Sequence, residues 1–354
     1  MLNEPRGRLA YLDGMRGVAI LLVLLFHAFA RWPDLVPYGD QYQSVPLFRV
    51  GFIGVNLFFI ISGFVILMTL EKCASFKIFF ARRWLRLFPA MLICSAIIFA
   101  TAPLFPERPL GQPMWRDLLP GMTFIDPAIW QKLIGGSQGA LEGAFWSLYV
   151  EMKFYVVFGL IYFVLGRAIA VWGLIILFVL SIATHLLTGS SSLLVVLGKG
   201  LGLLGAEYYG WFAAGALFFL YVRDKRLVWL VSGLGLGFAS AAEMGGIETQ
   251  IAAVLVTVLF AAALVSDSVQ SVLSWKWLLI VGFASYPLYL LHENVMIATI
   301  IKLGVAAPFL PMFLYPILPI AALMILAWIV AAHLEPRLKR GLRQAFRPRE
   351  TMTA

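Results

Sequence analysis

The sequence predicts an all-α, polytopic membrane protein of about ten transmembrane helices. Three observations carry that prediction. Of the 354 residues 62% are hydrophobic and only 13% charged, with mean hydropathy +0.91. A soluble domain has no interior large enough to hide that much apolar surface. The apolar residues fall in runs of about 17–25, the length that crosses roughly 30 Å of hydrocarbon. Cations concentrate in alternate connections, as the positive-inside rule requires.

Taken in order, the spans are approximately 12–30, 51–70, 88–105, 145–165, 168–187, 204–222, 227–242, 250–266, 278–301 and 312–334. Arg6 and Arg8 precede the first. Lys72, Lys77, Arg82, Arg83 and Arg86 lie between the second and third. Arg167, then Arg223, Lys225 and Arg226, return on the same side, and the tail carries Arg337, Lys339, Arg340, Arg343, Arg347 and Arg349. The opposite connections hold Asp34, Asp40, Glu107, Asp117, Asp126, Glu142, Glu243 and Glu248. Both termini are therefore expected in the cytoplasm, and an even number of spans agrees. The segment from about 106 to 144, rich in Pro, Gly and Trp, falls outside. The chain reads as one membrane domain, 1–354, whose short basic tail from about 336 to 354 meets lipid headgroups.

The net charge of +9 belongs to these connections and excludes nucleic acid as a partner, since no basic and aromatic surface lies outside the spans. Cys73 and Cys94 are too few for a disulfide framework or a cysteine metal site. The first apolar run is longer than a signal-peptide core and lacks an A-x-A-like cleavage site, so it is kept as a span.

The first span reads LDGMRGVAILLVLLFH and carries Arg16 and His27. Polar groups in a span are costly and point to function. Eleven residues is about three turns plus 20°, so the two share one helix face about 16 Å apart in depth. The expectation is that they line one passage. Depth counted at about 1.5 Å per residue puts His27, Asn56 in GVNLFFIISGF, Glu151 in WSLYVEMKFY and His292 in SYPLYLLHENV in one layer near the outer surface. A histidine beside a carboxylate is a plausible general base. Each alone is also explained by a structural hydrogen bond between helices. On the cytoplasmic side FFARRWLRLFP packs Arg82, Arg83 and Arg86 ahead of Pro89, where a new helix can start. Arg83 and Arg86 share a face and suit phosphate groups.

Other patterns carry less. Gly200, Gly202 and Gly205 match G-x-G-x-x-G without a preceding strand, and close helix packing explains them better. His292 and Glu293 lack the second His of a zinc-protease helix. His185 and His333 fall at span ends. Lys153 and Glu207 are intramembrane without a role, Glu207 being a further candidate for the outer layer.

Together, in order, these five stretches resemble the acyltransferase-3 family of integral membrane acyltransferases. The resemblance implies transfer of an acyl group, often acetyl or succinyl, from a cytoplasmic thioester to hydroxyls of envelope or exported glycans. The family's Arg-x10-His falls on Arg16 and His27, its Arg-x-x-Arg on Arg83 and Arg86, its W-S-L-x-x-E glutamate on Glu151 and its late-helix histidine on His292. Met152, Lys153 and Asn56 depart from the usual acidic residue, Gln and Asp. No hydrolase-like extracytoplasmic domain follows, as it does in some members.

The expected donor is acyl-CoA, acetyl-CoA first, with no permanently bound cofactor and no metal. The expected acceptor is a carbohydrate or lipid-linked glycan, and the location a cell inner membrane. Arg16, Arg83 and Arg86 would hold the donor. His27 would deprotonate the acceptor or carry the acyl group, oriented by Glu151, with Asn56 or His292 donating to the thioester oxygen. The rival class is a transporter with a buried charged site, which predicts inverted repeats and broken helices.

Overall fold

The structure, a computed structural model, describes residues 9–136, 139–187 and 192–345. Arg6, Arg8, Arg347 and Arg349 lie outside the described residues. The chain runs through α1 (Ala10–Phe29), the short α2 (Pro46–Arg49), α3 (Gly54–Leu70) and α4 (Phe76–Thr101). The long connection that follows contains α5 (Leu118–Thr123) and α6 (Pro127–Ile134). Then come α7 (Trp146–Leu165), α8 (Arg167–Leu186), α9 (Ser192–Leu204), α10 (Tyr209–Asp224), α11 (Leu227–Ala242), α12 (Ile247–Val265) and α13 (Asp267–Leu273). The last four are α14 (Lys276–Leu291), α15 (Glu293–Ala306), α16 (Leu314–Ile329) and α17 (Glu335–Ala345). There is no strand among the described residues.

Among the described residues seven helices are long and apolar enough to cross a membrane, and up to nine if each of two bent pairs is one span. The remaining segment of the sequence reading, Leu227–Ala242, is a shorter apolar helix of 16 residues. The bent pairs correct the expectation of straight rods. α9 and α10 meet at 67°, and α14 and α15 at 80°. The first bend turns on Gly205, at φ +69°, a conformation that costs a glycine nothing. Gly200 and Gly202 do not serve helix packing as expected, because a Cβ at either would meet no described atom within 4 Å. The second bend falls at His292-Glu293-Asn294, three consecutive polar residues in an apolar run.

A further correction concerns α4. It begins at Phe76, capped by Ser75, and runs unbroken through Pro89. Arg82, Arg83 and Arg86 therefore sit on a helix already formed, and Pro89 does not start a new one. Proline forfeits one backbone hydrogen bond inside a helix, and the continuous packing of α4 against α7, α14 and α17 offsets it.

α1 packs against both α3 and α14. The α1–α14 contact is close enough that backbone meets backbone: a Cβ on Gly17 would lie 2.5 Å from the Leu278 carbonyl, and one on Gly282 would strike the Asp13 carbonyl. Small residues permit this approach, as in many membrane helix pairs. It fixes the relation of the helix that carries Arg16 and His27 to the helix that ends at His292.

Candidate functional site

The arginines gather at one end of the bundle. Arg16 Nη1 donates to Asp13 Oδ1 at 2.8 Å, one turn earlier on α1. Arg83 Nη2 donates to the Thr69 hydroxyl and, at 3.5 Å, to the Val65 carbonyl. Its Nε is buried and has no hydrogen-bond partner among the described residues. Arg86 Nη1 lies 3.5 Å from Glu335 Oε1 on α17, and Lys339 pairs with the same carboxylate.

Arg16, Arg83 and Arg86 line a cavity of about 110 Å³ with Glu151, Ser62, Tyr155, Ser147 and Tyr289. Three guanidinium groups against one carboxylate make it attractive to anions. Arg16, Val65 and Arg86 also line a second cavity of about 630 Å³, walled by Asp13, Glu335 and Lys339. Arg16 and Arg86 thus stand where the two cavities adjoin, and Arg83 lines only the smaller one.

The histidines gather further along. His27 Nδ1 lies 3.0 Å from the Val23 carbonyl and 3.3 Å from His292 Nε2. His292 Nδ1 lies 2.8 Å from the Tyr289 carbonyl, so it carries the proton and its Nε2 accepts. His27 Nδ1 then carries the hydrogen in turn, which leaves His27 Nε2 with the free lone pair. That nitrogen lies 3.8 Å from Glu293 Oε1. Glu293 is 4% exposed, and its other oxygen accepts from the Ala144 N–H at 2.6 Å.

Four of the seven sequence candidates, Arg16, Arg83, Arg86 and Glu151, come together at the cavity. His27 and His292 come together as a pair. Asn56 joins neither: it is 6% exposed, and its side chain makes no hydrogen bond among the described residues.

Two expectations are corrected. Glu151 does not orient His27. Its Oε1 accepts from Ser62 at 2.5 Å and from Tyr155 at 2.6 Å, on the cavity wall. Depth alone placed it in the histidine layer, but Ser147, Glu151 and Tyr155 recur every four residues and form one face of α7, turned to the arginines. Nor do Arg16 and His27 line one open passage. Tyr289 lines the cavity, which neither histidine lines; its hydroxyl lies 2.7 Å from Ser147 Oγ and its ring centre 5.5 Å from that of His292.

Sequence reasoning set Glu293 aside as an incomplete zinc motif. The signal that points to it is its place in a polar triplet where a helix has to break. Lys153, unassigned before, pairs with Asp126 at 3.1 Å, and Glu207 is exposed rather than part of a buried layer.

A further carboxylate, Glu142, is fully buried in the connection before α7. Burial pushes it up to about 8, against Arg108 and the Asn294 donors that hold it down. Its Oε2 accepts from the Asn294 N–H at 2.8 Å and from Asn294 Nδ2 at 2.7 Å.

A bundle of membrane-length helices, with an arginine-lined cavity and a histidine pair next to a carboxylate, defines a polytopic membrane protein with charged groups inside the bundle. The sequence profile described as an acyltransferase domain matches residues 9–333, and the chain belongs to that acyltransferase-3 family. It is 30% identical over 160 residues to the O-acetyltransferase OatA of Staphylococcus aureus (strain NCTC 8325 / PS 47), covering 42% of this chain and 24% of that one. It is likewise 30% identical over 162 residues to the acyltransferase MdmB of Streptomyces mycarofaciens, covering 44% of this chain and 39% of the relative. The matched stretch thus spans about a quarter of the length of the first of these relatives and under half of the second. No solved structure matches the chain significantly.

Proposed function

We propose that the protein is an integral membrane O-acyltransferase of a cell inner membrane. It moves an acetyl or similar short acyl group from cytoplasmic acyl-CoA to a hydroxyl of an envelope or exported glycan, or of a lipid-linked carbohydrate. The observation that carries this reading is the cavity lined by Arg16, Arg83 and Arg86 and also by Tyr289, the neighbour of His292. The names of OatA and MdmB support the reaction class.

In this reading the donor's phosphates enter by the larger cavity and bind Arg83 and Arg86, and the pantetheine passes Arg16. Glu151 is the counter-charge to the three arginines when no donor is bound. The Tyr289 ring turns aside to let the thioester reach the histidines. His27 Nε2 takes the acceptor hydroxyl's proton as the oxygen attacks the thioester carbon. Glu293 stabilises the imidazolium that forms. The C–S bond breaks, the thiolate leaves, and His27 returns the proton to it.

The test is acyl-CoA binding and acyl transfer by purified wild-type and His27→Ala protein, with the amount in the membrane checked. H27A is expected to bind acyl-CoA saturably and to lose transfer. Near-normal turnover by H27A removes His27 from the chemistry, and no saturable binding by wild type removes the donor. Mass comparison of envelope glycans from cells with and without the protein then identifies the acceptor. The two bent helix pairs supply one feature of the transporter class. That class gives no reason for arginines spaced for a nucleotide, and substrate uptake without acyl transfer would favour it.

A further inference from the structure

Glu142 and Asn294 play no part in the chemistry above, yet both are completely buried at the break between α14 and α15. Glu142 holds the first residues of α15 through two bonds to Asn294. Glu293, in the reverse direction, holds the turn before α7 through the Ala144 N–H. Each connection is thus clamped by a carboxylate from the other. Asn294 Oδ1 also accepts from the Leu110 N–H at 3.0 Å. Arg108, its side chain fully buried, donates to the Leu141 carbonyl at 2.8 Å and lies 3.5 Å from Glu142. The fit has no slack: a Cβ on Gly143 would lie 2.8 Å from Glu293 Oε1.

The consequence reaches His27. Glu293 stands next to Asn294 in the chain, and its Oε1 is the oxygen beside His27 Nε2. Resting on the acyltransferase reading, we propose that Glu142 is a positioning residue for acyl transfer: through Asn294 it fixes the carboxylate of Glu293 against His27. It touches neither donor nor acceptor. A displacement of about 1 Å in such a constellation lowers turnover on the order of a hundredfold.

The experiment is a double-mutant cycle in acyl transfer with Glu142→Gln, Glu293→Gln and the pair. A glutamine at 142 keeps one acceptor oxygen and loses the other. E142Q is expected to lower kcat about tenfold or more with KM for acyl-CoA unchanged, because the arginine cavity is elsewhere. The double variant is expected to be no slower than E293Q, since both act through one carboxylate. An unchanged kcat in E142Q, or losses that multiply in the double variant, overturns the proposal. Asn294→Ala is the second arm if E142Q, which strips Arg108 of its carboxylate, does not accumulate. It keeps one backbone bond to Glu142 and is expected to lose kcat in the same direction by less, an unchanged kcat again overturning the assignment. Absence of acyl transfer by the wild-type protein marks failure of the acyltransferase reading itself, whatever E142Q does, whereas full activity of H27A removes only His27 from the chemistry.

Discussion

Arg83 is the residue whose surroundings are least complete. One terminal nitrogen is satisfied by Thr69 and Val65, while its buried Nε donates to nothing. A buried donor without an acceptor costs about 1–3 kcal/mol, and a protein bears that where a ligand repays it. Arg83→Ala is therefore expected to raise KM for acyl-CoA at least tenfold, equal to about 1.4 kcal/mol, with kcat at saturation little changed. Arg86→Ala is expected to cost less, because its side chain is 49% exposed and already paired with Glu335. Equal KM values for R83A and wild type would remove Arg83 from the donor site. At this scale the sequence was partly legible. A spacing of eleven residues identified Arg16 and His27, and a spacing of three identified Arg83 and Arg86. Glu293 was not legible as a partner of His27, because their meeting depends on how two remote helices pack and where one of them breaks. Glu151 was visible as an intramembrane carboxylate but assigned to the wrong partners, because counting residues yields depth and not azimuth.

Helices bring these residues into register, and the α1–α14 contact does most of it. Hydrophobic run length placed α1 and the start of α14 within two residues, but not the end of α14. Their closeness was not readable, since nothing in a run of apolar residues says which glycine faces which neighbour. The bend after α14 was foreshadowed only by the polar triplet 292–294 and by Pro287 inside α14. The contact admits a direct test. In Gly282→Ala the added methyl strikes the Asp13 carbonyl, and a backbone atom cannot rotate away as a side chain can. Overpacking of this kind costs about 1–3 kcal/mol. G282A is expected to unfold at a lower temperature in detergent and to lose turnover, as the two helices part and His27 withdraws from His292. Gly202→Ala, where no described atom lies within reach, is expected to leave both unchanged. A G282A protein as stable and active as wild type would show that the helices can slide without consequence.

Across the whole molecule the reading depends on direction: the arginine cavity has to face the compartment that holds acyl-CoA. The charge pattern along the chain supplies the argument, because Arg82, Arg167, Arg223 and Lys225 all flank helix ends on the side of the bundle that carries Glu71, and Arg167 and Arg223 both pair with that carboxylate. Cations are retained on the cytoplasmic side during insertion. The chain carries its own reporter for this claim. Cys73 sits half-buried in the connection between α3 and α4, 3.5 Å from Arg82 Nη1, while Cys94 is buried within α4. A membrane-impermeant maleimide is expected to label Cys73 in inverted vesicles and not in right-side-out ones, with Cys94 silent in both. Labelling of a Cys73→Ser variant would betray Cys94 and is the control. Labelling of Cys73 from the outside would turn the molecule over. The three guanidinium groups would then open away from the donor pool, and the larger cavity between α1, α14 and α17 would lose its purpose as a donor entrance.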